Sequence, residues 1–371
     1  MMDLILPYLS FHDIKKILIV KLKHVGDVLL TTPCIRVLHE AFPSAQISIL
    51  VDEDTDALLK NHPLLTEIIC FPRSLMRRKS LQRIQREIEF ISSIRRRHFD
   101  FVVDLTSADR AAWIAWLSGA RYRLAYDPQK KGFWGKRFLY THLAPYPTDP
   151  DLHEVKKNLG VLEYLGLPCA FTPLELHLTE RDLSQAKLIL DSLNLPKKVF
   201  GDTPNTRKRF AIVHPTSRWL FKCWEDERFA ALVDWLQTSA QLPVIMTCGP
   251  NPQEQERAHR ILAYCTTHPK TLFGILSLLE WAAFVRQACL FVGVDSAPMH
   301  IAASQGVPTL AFFGPTGFQN WRPWAVQHTV LVHDCPCSRD RQPHCDWSRV
   351  RACMHAITLD EAKKALEPFL L

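Results

Sequence analysis

The sequence predicts an α/β protein made of two Rossmann-like, doubly wound domains that face a central cleft. Three observations carry this. Short apolar runs alternate with segments of helical spacing through the first half of the chain, the signature of a parallel sheet with crossover helices. The same alternation restarts near residue 210. A polar stretch, Gly201-Asp202-Thr203-Pro204-Asn205-Thr206-Arg207-Lys208, separates the two. A chain of 371 residues is also long for one core and natural for two.

The elements come in this order. Ile17 to Leu22 is an apolar run bounded by lysines and reads as the first strand. Asp27 to Phe42 has helical spacing, with Val28, Leu29, Ile35 and Leu38 apolar. Strands are expected at Gln46 to Val51, Glu67 to Phe71 and Phe99 to Leu105. Leu81 to Arg97 is a basic amphipathic helix, and Arg110 to Leu117 is another helix. The pattern loosens from Asp127 to Asp151, then Leu152 to Leu165 is helical again. A helix from Glu180 to Leu193 lies in the connecting region. In the second half, strands are expected at Phe210 to His214, Pro243 to Cys248, Ala288 to Val292 and Val307 to Phe313. Helices are expected at Asp226 to Leu236, Gln253 to Tyr264, Ser277 to Gln287 and Leu359 to Leu371. The expected domains are therefore residues 1–175, a connection over 176–208, a second domain over 209–358 and a terminal helix over 359–371. A cleft between two such halves is the default ligand site.

Composition narrows the function. The apolar content of 47% is that of a soluble globular protein. No apolar run approaches the ~18 residues of a membrane span. Residues 1–10 contain Asp3 and lack a basic flank, so they do not read as a signal peptide, and the chain is expected in the cytoplasm. The net charge is +7, and its excess is concentrated. Arg73, Arg77, Arg78, Lys79, Arg83, Arg86, Arg95, Arg96 and Arg97 fall in one segment, which suits an anionic surface or a solvated helix face. No helix-turn-helix, RNA-recognition or zinc-finger pattern accompanies it, so nucleic acid is not expected as a partner. Of the 11 cysteines, Cys335, Cys337, Cys345 and Cys353 cluster. Their spacing lacks the paired C-x-x-C of common zinc sites, so free thiols are expected and no metal.

Four strand-to-helix junctions carry polar groups suited to a nucleotide. The most informative is Gly293-Val294-Asp295-Ser296-Ala297-Pro298-Met299-His300, which joins a buried strand to a helix start. The free N–H groups and positive dipole end of such a helix hold phosphate, and His300 lies about one turn in. His214-Pro215-Thr216-Ser217, followed by Lys222-Cys223-Trp224, supplies hydroxyls and an ammonium that could neutralise a diphosphate, or merely a capped loop with an exposed lysine. Gly249-Pro250 leads to Glu254 and Glu256, where a carboxylate could take ribose hydroxyls or Glu254 could pair with Arg257. The first junction, Lys21-Leu22-Lys23-His24-Val25-Gly26-Asp27, lacks G-x-G-x-x-G, which disfavours a nicotinamide cofactor. Its Asp27 is either a helix cap or a base for an attacking hydroxyl.

Together these residues resemble the bacterial heptosyltransferases of lipopolysaccharide core synthesis, glycosyltransferase family 9. The resemblance spans Ile17 to the final helix. It rests on Gly26-Asp27-Val28-Leu29 with Thr32-Pro33, Pro215-Thr216-Ser217 with Lys222-Cys223-Trp224, Gly249 with Glu254 and Glu256-Arg257-Ala258, and Val294-Asp295-Ser296-Ala297 through His300 to Gly314-Pro315-Thr316. The Trp321-Arg322-Pro323-Trp324 run is most like the branch-adding subgroup, which adds heptose III. The resemblance implies a GT-B fold, an ADP-heptose donor and a lipid-linked inner-core acceptor at the cytoplasmic face of the inner membrane. No Asp-x-Asp metal-binding pair lies in either nucleotide loop, so no divalent metal or other cofactor is expected. The resemblance matches Asp27 to the base, Lys222 to the phosphate-binding lysine, Glu254 to the ribose ligand and Asp295 through His300 to the donor motif.

The expected reaction is an inverting displacement at the anomeric carbon. Asp27 removes the acceptor's proton as it attacks. Lys222, Ser296, the backbone at Ala297 and His300 stabilise departing ADP, with Thr216 and Ser217 beside them, and Asp295 orients sugar hydroxyls. Arg77, Arg78 and Lys79 are expected to face the acceptor or an anionic membrane. Rival readings are a sugar-nucleotide epimerase of similar fold and a non-catalytic nucleotide- or metal-binding regulator.

Overall fold

The computed structural model describes residues 14–73, 81–129, 131–195, 208–334 and 352–370. The chain forms two compact units, Met1–His177 and Leu178–Leu371. The first is built on β1 (Lys16–Lys21), β2 (Gln46–Asp52), β3 (Glu67–Phe71), β4 (Phe101–Asp104), β5 (Tyr122–Tyr126) and β6 (His142–Ala144). The second is built on β7 (Lys208–His214), β8 (Val244–Cys248), β9 (Lys270–Phe273), β10 (Ala288–Val294), β11 (Thr309–Phe313) and β12 (His328–Val332). All pairings are parallel. The orders are β3-β2-β1-β4-β5-β6 and β12-β11-β10-β7-β8-β9. Counted from each unit's own first strand, the first reads 3-2-1-4-5-6 and the second reads 6-5-4-1-2-3, the same Rossmann order taken from the other edge.

The helices of the first unit are α1 (Val25–Leu29), α2 (Thr32–Ala41), α3 (Leu81–Arg95), α4 (Asp109–Leu117) and α5 (Glu154–Glu163). Those of the second are α6 (Glu180–Ser192), α7 (Asp226–Thr238), α8 (Pro252–Tyr264), α9 (Leu278–Val285), α10 (Ala297–Ser304), α11 (Phe318–Trp321), α12 (Ala352–Ala356) and α13 (Leu359–Leu370). Strands at the middle of each sheet are apolar through their centres because helices cover both faces. Ile17, Leu18, Ile19 and Val20 of β1 and Phe291 and Val292 of β10 are fully buried.

Three features differ from the sequence expectation. The helix expected over Asp27 to Phe42 is two helices. Thr31 Oγ1 donates to the Val28 carbonyl at 2.6 Å and Thr32 Oγ1 to the Leu29 carbonyl at 2.8 Å, and Pro33 lies in the first turn of the second helix. These side-chain bonds and the missing proline N–H break the ladder at that point. Strands β5, β6, β9 and β12 had no clear sequence signal. Three of them lie at sheet edges, where one side needs no apolar neighbour, and every residue of β12 is only half-buried. The helix in the expected connection, α6, packs on α9 and belongs to the second unit, as does α13, which packs on α7.

Trp224 anchors the second core. It is fully buried, stacks on Phe312 at 4.6 Å between centroids, meets Phe229 edge-on at 5.2 Å and donates from Nε1 to the Ile357 carbonyl at 3.0 Å. Trp224→Ala should therefore lower stability by about 3–5 kcal/mol in urea unfolding. Trp224→Phe should lower it less, because the stacked ring survives and only the indole bond and part of its volume go.

Candidate active site

Strand order reverses between β1 and β4 in the first unit and between β7 and β10 in the second. The connections leaving these neighbours run to opposite faces of the sheet. This opens a crevice beyond their carboxyl ends, where open α/β sheets bind ligands. Asp27 lies after β1. His214 ends β7, with Thr216, Ser217 and Lys222 after it. Asp295, Ser296 and Ala297 come directly after β10. Asp27, Thr216, Ser217, Lys222, Asp295, Ser296 and Ala297 thus lie at the two switch points, while Glu254 follows the neighbouring β8.

In the second unit, a short 3₁₀ turn over Leu220–Lys222 sets the lysine, and the fully buried Cys223 and Trp224 anchor the chain just after it. Lys222 Nζ donates to Asp295 Oδ2 at 2.6 Å, and Thr316 Oγ1 donates to the same oxygen at 2.7 Å. Asp295 is only 5% exposed. Burial by itself would raise its carboxyl, but the Lys222 ammonium, the two hydrogen bonds and the nearby His300 hold it below the usual aspartate range. His300 is buried one turn into α10, and Ser296 and Ala297 at the head of that helix are partly exposed. The Ser296 hydroxyl donates to the Val294 carbonyl at 3.1 Å, so the helix's first turn has no side-chain cap.

A second group lies on the neighbouring loops. Thr216 Oγ1 donates to Glu254 Oε2 at 3.1 Å, and both residues are buried. Burial pushes the Glu254 carboxyl up, opposed by the Thr216 hydroxyl and the Gly249 N–H. A Cβ on Gly249 would stand 3.0 Å from Glu254 Oε1, so glycine lets the carboxylate fold back on this turn. Arg257 does not pair with Glu254. It bonds Asp226 and the Trp224 carbonyl, each at 2.7 Å. Ser217 Oγ accepts from the Trp219 N–H at 3.3 Å. His214 Nδ1 meets Thr247 Oγ1 at 2.8 Å, and burial drives this histidine down to about 3, so it is neutral at physiological pH.

In the first unit, Asp27 sits inside α1 rather than at its cap, which is His24. Partial burial raises its carboxyl above the ordinary aspartate range, Glu154 adds to the rise, and Lys21, Lys23 and His24 oppose it. Lys21 is 1% exposed. Its Nζ donates to the Leu105 carbonyl at 3.1 Å, to Asn158 Oδ1 at 2.9 Å and to Glu154 Oε1 at 3.4 Å. Asn158 in turn donates to the Leu30 carbonyl at 3.1 Å, behind α1.

Sequence reasoning named neither Lys21, Glu154 and Asn158 nor Thr247 as site residues. Thr316 entered only as the end of the Gly314-Pro315-Thr316 run, with no role of its own. The contacts that matter join residues tens to more than a hundred positions apart, and no local pattern announces them. Arg77, Arg78, Lys79, Cys335, Cys337 and Cys345 lie outside the described residues. Cys353 is buried at 2% exposure in α12. Among the described residues, His62, Glu175 and His177 bring potential ligand atoms within 4.8 Å of one another. Arg36 already grips both Glu175 oxygens from Nε and Nη2 and balances the carboxylate a cation would need.

A family description matches residues 88–350 of the chain: glycosyltransferase family 9 (heptosyltransferase). The chain belongs to glycosyltransferase family 9. It is 32% identical over 306 residues to lipopolysaccharide heptosyltransferase 3 of Escherichia coli K12, spanning 82% of this chain and 83% of that one. A family 9 glycosyl transferase from Veillonella parvula superposes with a TM-score of 0.77 at 23% identity, over 96% of this chain and 97% of that one. The E. coli ADP-heptose lps heptosyltransferase II superposes with a TM-score of 0.73 at 18% identity, over 96% and 98%. The fold of this family 9 enzyme is therefore GT-B, and membership favours the transferase over the epimerase and regulator readings.

Removing Lys222 leaves the buried Asp295 without its cation, so Lys222→Met should lower stability by up to ~3 kcal/mol. The double variant with Asp295→Asn should recover most of that loss in a double-mutant cycle. Additive losses would show that the pair does not couple.

Stability should also depend on pH through His62. Burial lowers its imidazole from the ordinary value to about 4. The unfolded chain therefore takes up this proton first as pH falls below ~6.5, and stability present above that pH is lost on the way to pH 4. His62→Gln should flatten stability against pH across that window, measured by chemical denaturation.

Proposed function

We propose that this protein transfers heptose from an ADP-heptose donor to a heptose of the lipopolysaccharide inner core, at the step that adds the third heptose. The observation that carries the reading is the 32% identity over 82% of the chain to a lipopolysaccharide heptosyltransferase 3, combined with polar groups at both switch points. One structural relative, an E. coli heptosyltransferase, was solved both with ADP and with ADP-2-deoxy-2-fluoro heptose.

ADP binds at the second unit's switch point. Glu254 accepts from the ribose hydroxyls with the oxygens that Thr216 and Gly249 leave available. The diphosphate lies against the first turn of α10 at Ser296 and Ala297, where the N–H groups of the first turn and the dipole favour negative charge. Lys222 supplies the adjacent positive charge, held in place by Asp295, and His300 stands behind them. As the anomeric carbon–oxygen bond breaks, charge grows on the phosphate, and fixed donors there lower the barrier. Asp27 takes the proton of the attacking acceptor hydroxyl, and attack opposite the leaving group inverts the anomeric centre. A raised carboxyl suits this task, because a base closer to neutrality transfers protons with a better match to the operating pH. The acceptor is lipid-linked, and the enzyme works at the cytoplasmic face of the inner membrane. Arg77, Arg78 and Lys79 are assigned to its acidic core or to anionic head groups.

The test is acceptor-dependent ADP release, with purified enzyme, ADP-heptose and a core acceptor lacking the third heptose. Release without acceptor would refute transfer. Asp27→Asn should cut kcat by roughly 10²–10⁴-fold while ADP-heptose affinity stays within a few-fold. In the wild type, kcat/KM should fall on the acid side as Asp27 takes up a proton, at a pH above that of an ordinary aspartate. Near-normal turnover of Asp27→Asn would remove it from the reaction.

A further inference from the structure

Beyond its charged first turn, Asp109 and Arg110, the outer face of α4 is apolar where a surface helix should be polar. Ala111, Ala112, Ile114 and Ala115 point into the core and are buried. Trp113 and Trp116 point outward, 43% and 45% exposed, with their rings edge-on at 5.9 Å. A helix that is apolar on both sides is normally covered on both. Here the described residues place only the Phe133 ring over Trp113, stacked at 5.2 Å.

The segment carrying Phe133 continues the face. Trp134 is 95% exposed, and Phe138 is exposed too. This segment is fixed rather than slack. Lys136 is buried, and its Nζ bonds the Ser107 carbonyl at 2.8 Å and Asp109 Oδ1 at 3.1 Å, at the head of α4. Gly132 and Gly135 turn the chain with φ of +91° and +89°. A Cβ at Gly132 would fall 2.1 Å from Asp109 Oδ1, so the turn closes tightly against α4. On α3, which packs beside α4, Ile84 and Ile88 are exposed one turn apart. Four aromatic and two aliphatic side chains are thus held out to solvent on adjoining elements.

Charge identifies the partner of this face. Residues 81–140 hold twelve Lys and Arg against six Asp and Glu, which is six of the chain's seven net positive charges. Arg86, Arg95, Arg96, Arg121 and Arg137 are exposed on these elements and the turns between them. Tryptophan prefers the head-group region of a bilayer, where its ring is buried and its N–H stays hydrated. Basic groups are drawn to anionic head groups, and stable attachment takes both signals together.

We propose that the face formed by Trp113, Trp116, Trp134, Phe138 and the exposed isoleucines of α3 inserts into the interface of an anionic phospholipid bilayer, with the surrounding arginines on its head groups. The inference extends the reading of a lipid-linked acceptor, because it gives that acceptor's domain its own hold on the membrane. It concerns residues remote in sequence from Asp27 and from the donor groups.

The test uses the full-length enzyme and vesicles of phosphatidylcholine with about 30% phosphatidylglycerol, which gives the surface a negative potential. Without donor or acceptor, wild-type enzyme should float with these vesicles, and its tryptophan emission should shift to the blue. The Trp134→Ser/Phe138→Ser variant alters only exposed side chains, so its unfolding midpoint should match wild type. It should lose at least tenfold in vesicle affinity and keep its turnover of a deacylated, soluble core acceptor. Wild type that ignores anionic vesicles, or a variant that binds them equally well, overturns the proposal. A wild-type dimer that the variant abolishes, with no vesicle binding, would assign the face to a second copy instead. Absence of turnover on the soluble acceptor would overturn the transferase reading and leave the vesicle result standing by itself.

Discussion

The constraint behind the site is the reversal of strand order in a fully parallel sheet. Each connection must cross to the next strand in a right-handed sense, so strands added to the left and right of the first send their helices to opposite faces. Between the first and fourth strands no connection covers the carboxyl ends. Both units use the same order, so each has one such gap, at β1/β4 and at β7/β10. Asp27, Lys222, Asp295 and Ser296 follow β1, β7 or β10, and Glu254 follows the neighbouring β8.

An exposed gap lined by backbone ends would fill with water and drift unless its loops were tied. Each unit ties its gap with a lysine at or after the end of its first strand. Lys21 reaches from β1 to the Leu105 carbonyl after β4 and to Asn158 and Glu154 on α5. Lys222, after β7, reaches to Asp295 after β10. Leu22 adds a backbone bond to the Thr106 hydroxyl at 2.8 Å, and Gly293 lets β10 pass close to β7, since a Cβ there would stand 2.9 Å from the His214 carbonyl. The stretch Lys222-Cys223-Trp224 acts as one device. Trp224 is sunk in the core, and Lys222 is thereby aimed at the crevice.

The parts of the fold legible in the sequence obey the same physics. Central strands are buried on both faces, so β1, β4, β7, β8, β10 and β11 stand out as unbroken apolar runs. Of the edge strands, which need far less apolar content, β3 stood out but β6, β9 and β12 did not, nor did β5, one strand in from an edge. The position of the polar groups at the strand ends was legible because strand end, small residue and helix start are local. Their pairing was not. Nothing in the vicinity of Thr216 points to Glu254 thirty-eight positions on, and the cap assigned as one reading of Asp27 fails only because the helix begins two residues before it. The tryptophans of α4 passed as ordinary helical residues, since spacing alone does not say which side of a helix the sheet will cover.

The two aspartates of the crevices show how one chain holds two carboxylates in different states. Both lose water contact, which favours the protonated form. Asp295 regains the difference from a lysine in direct contact at 2.6 Å, a threonine hydroxyl and a nearby histidine, and it stays ionised. Asp27 also has a buried lysine nearby, but that ammonium is bonded to a carbonyl, an amide and a glutamate, and the glutamate adds repulsion. The result is opposite shifts from similar parts. Groups whose surroundings push their proton affinities apart divide into fixed charge and proton carrier. On that ground Asp295 is suited to holding Lys222 and sugar hydroxyls in place, and Asp27 is suited to receiving a proton.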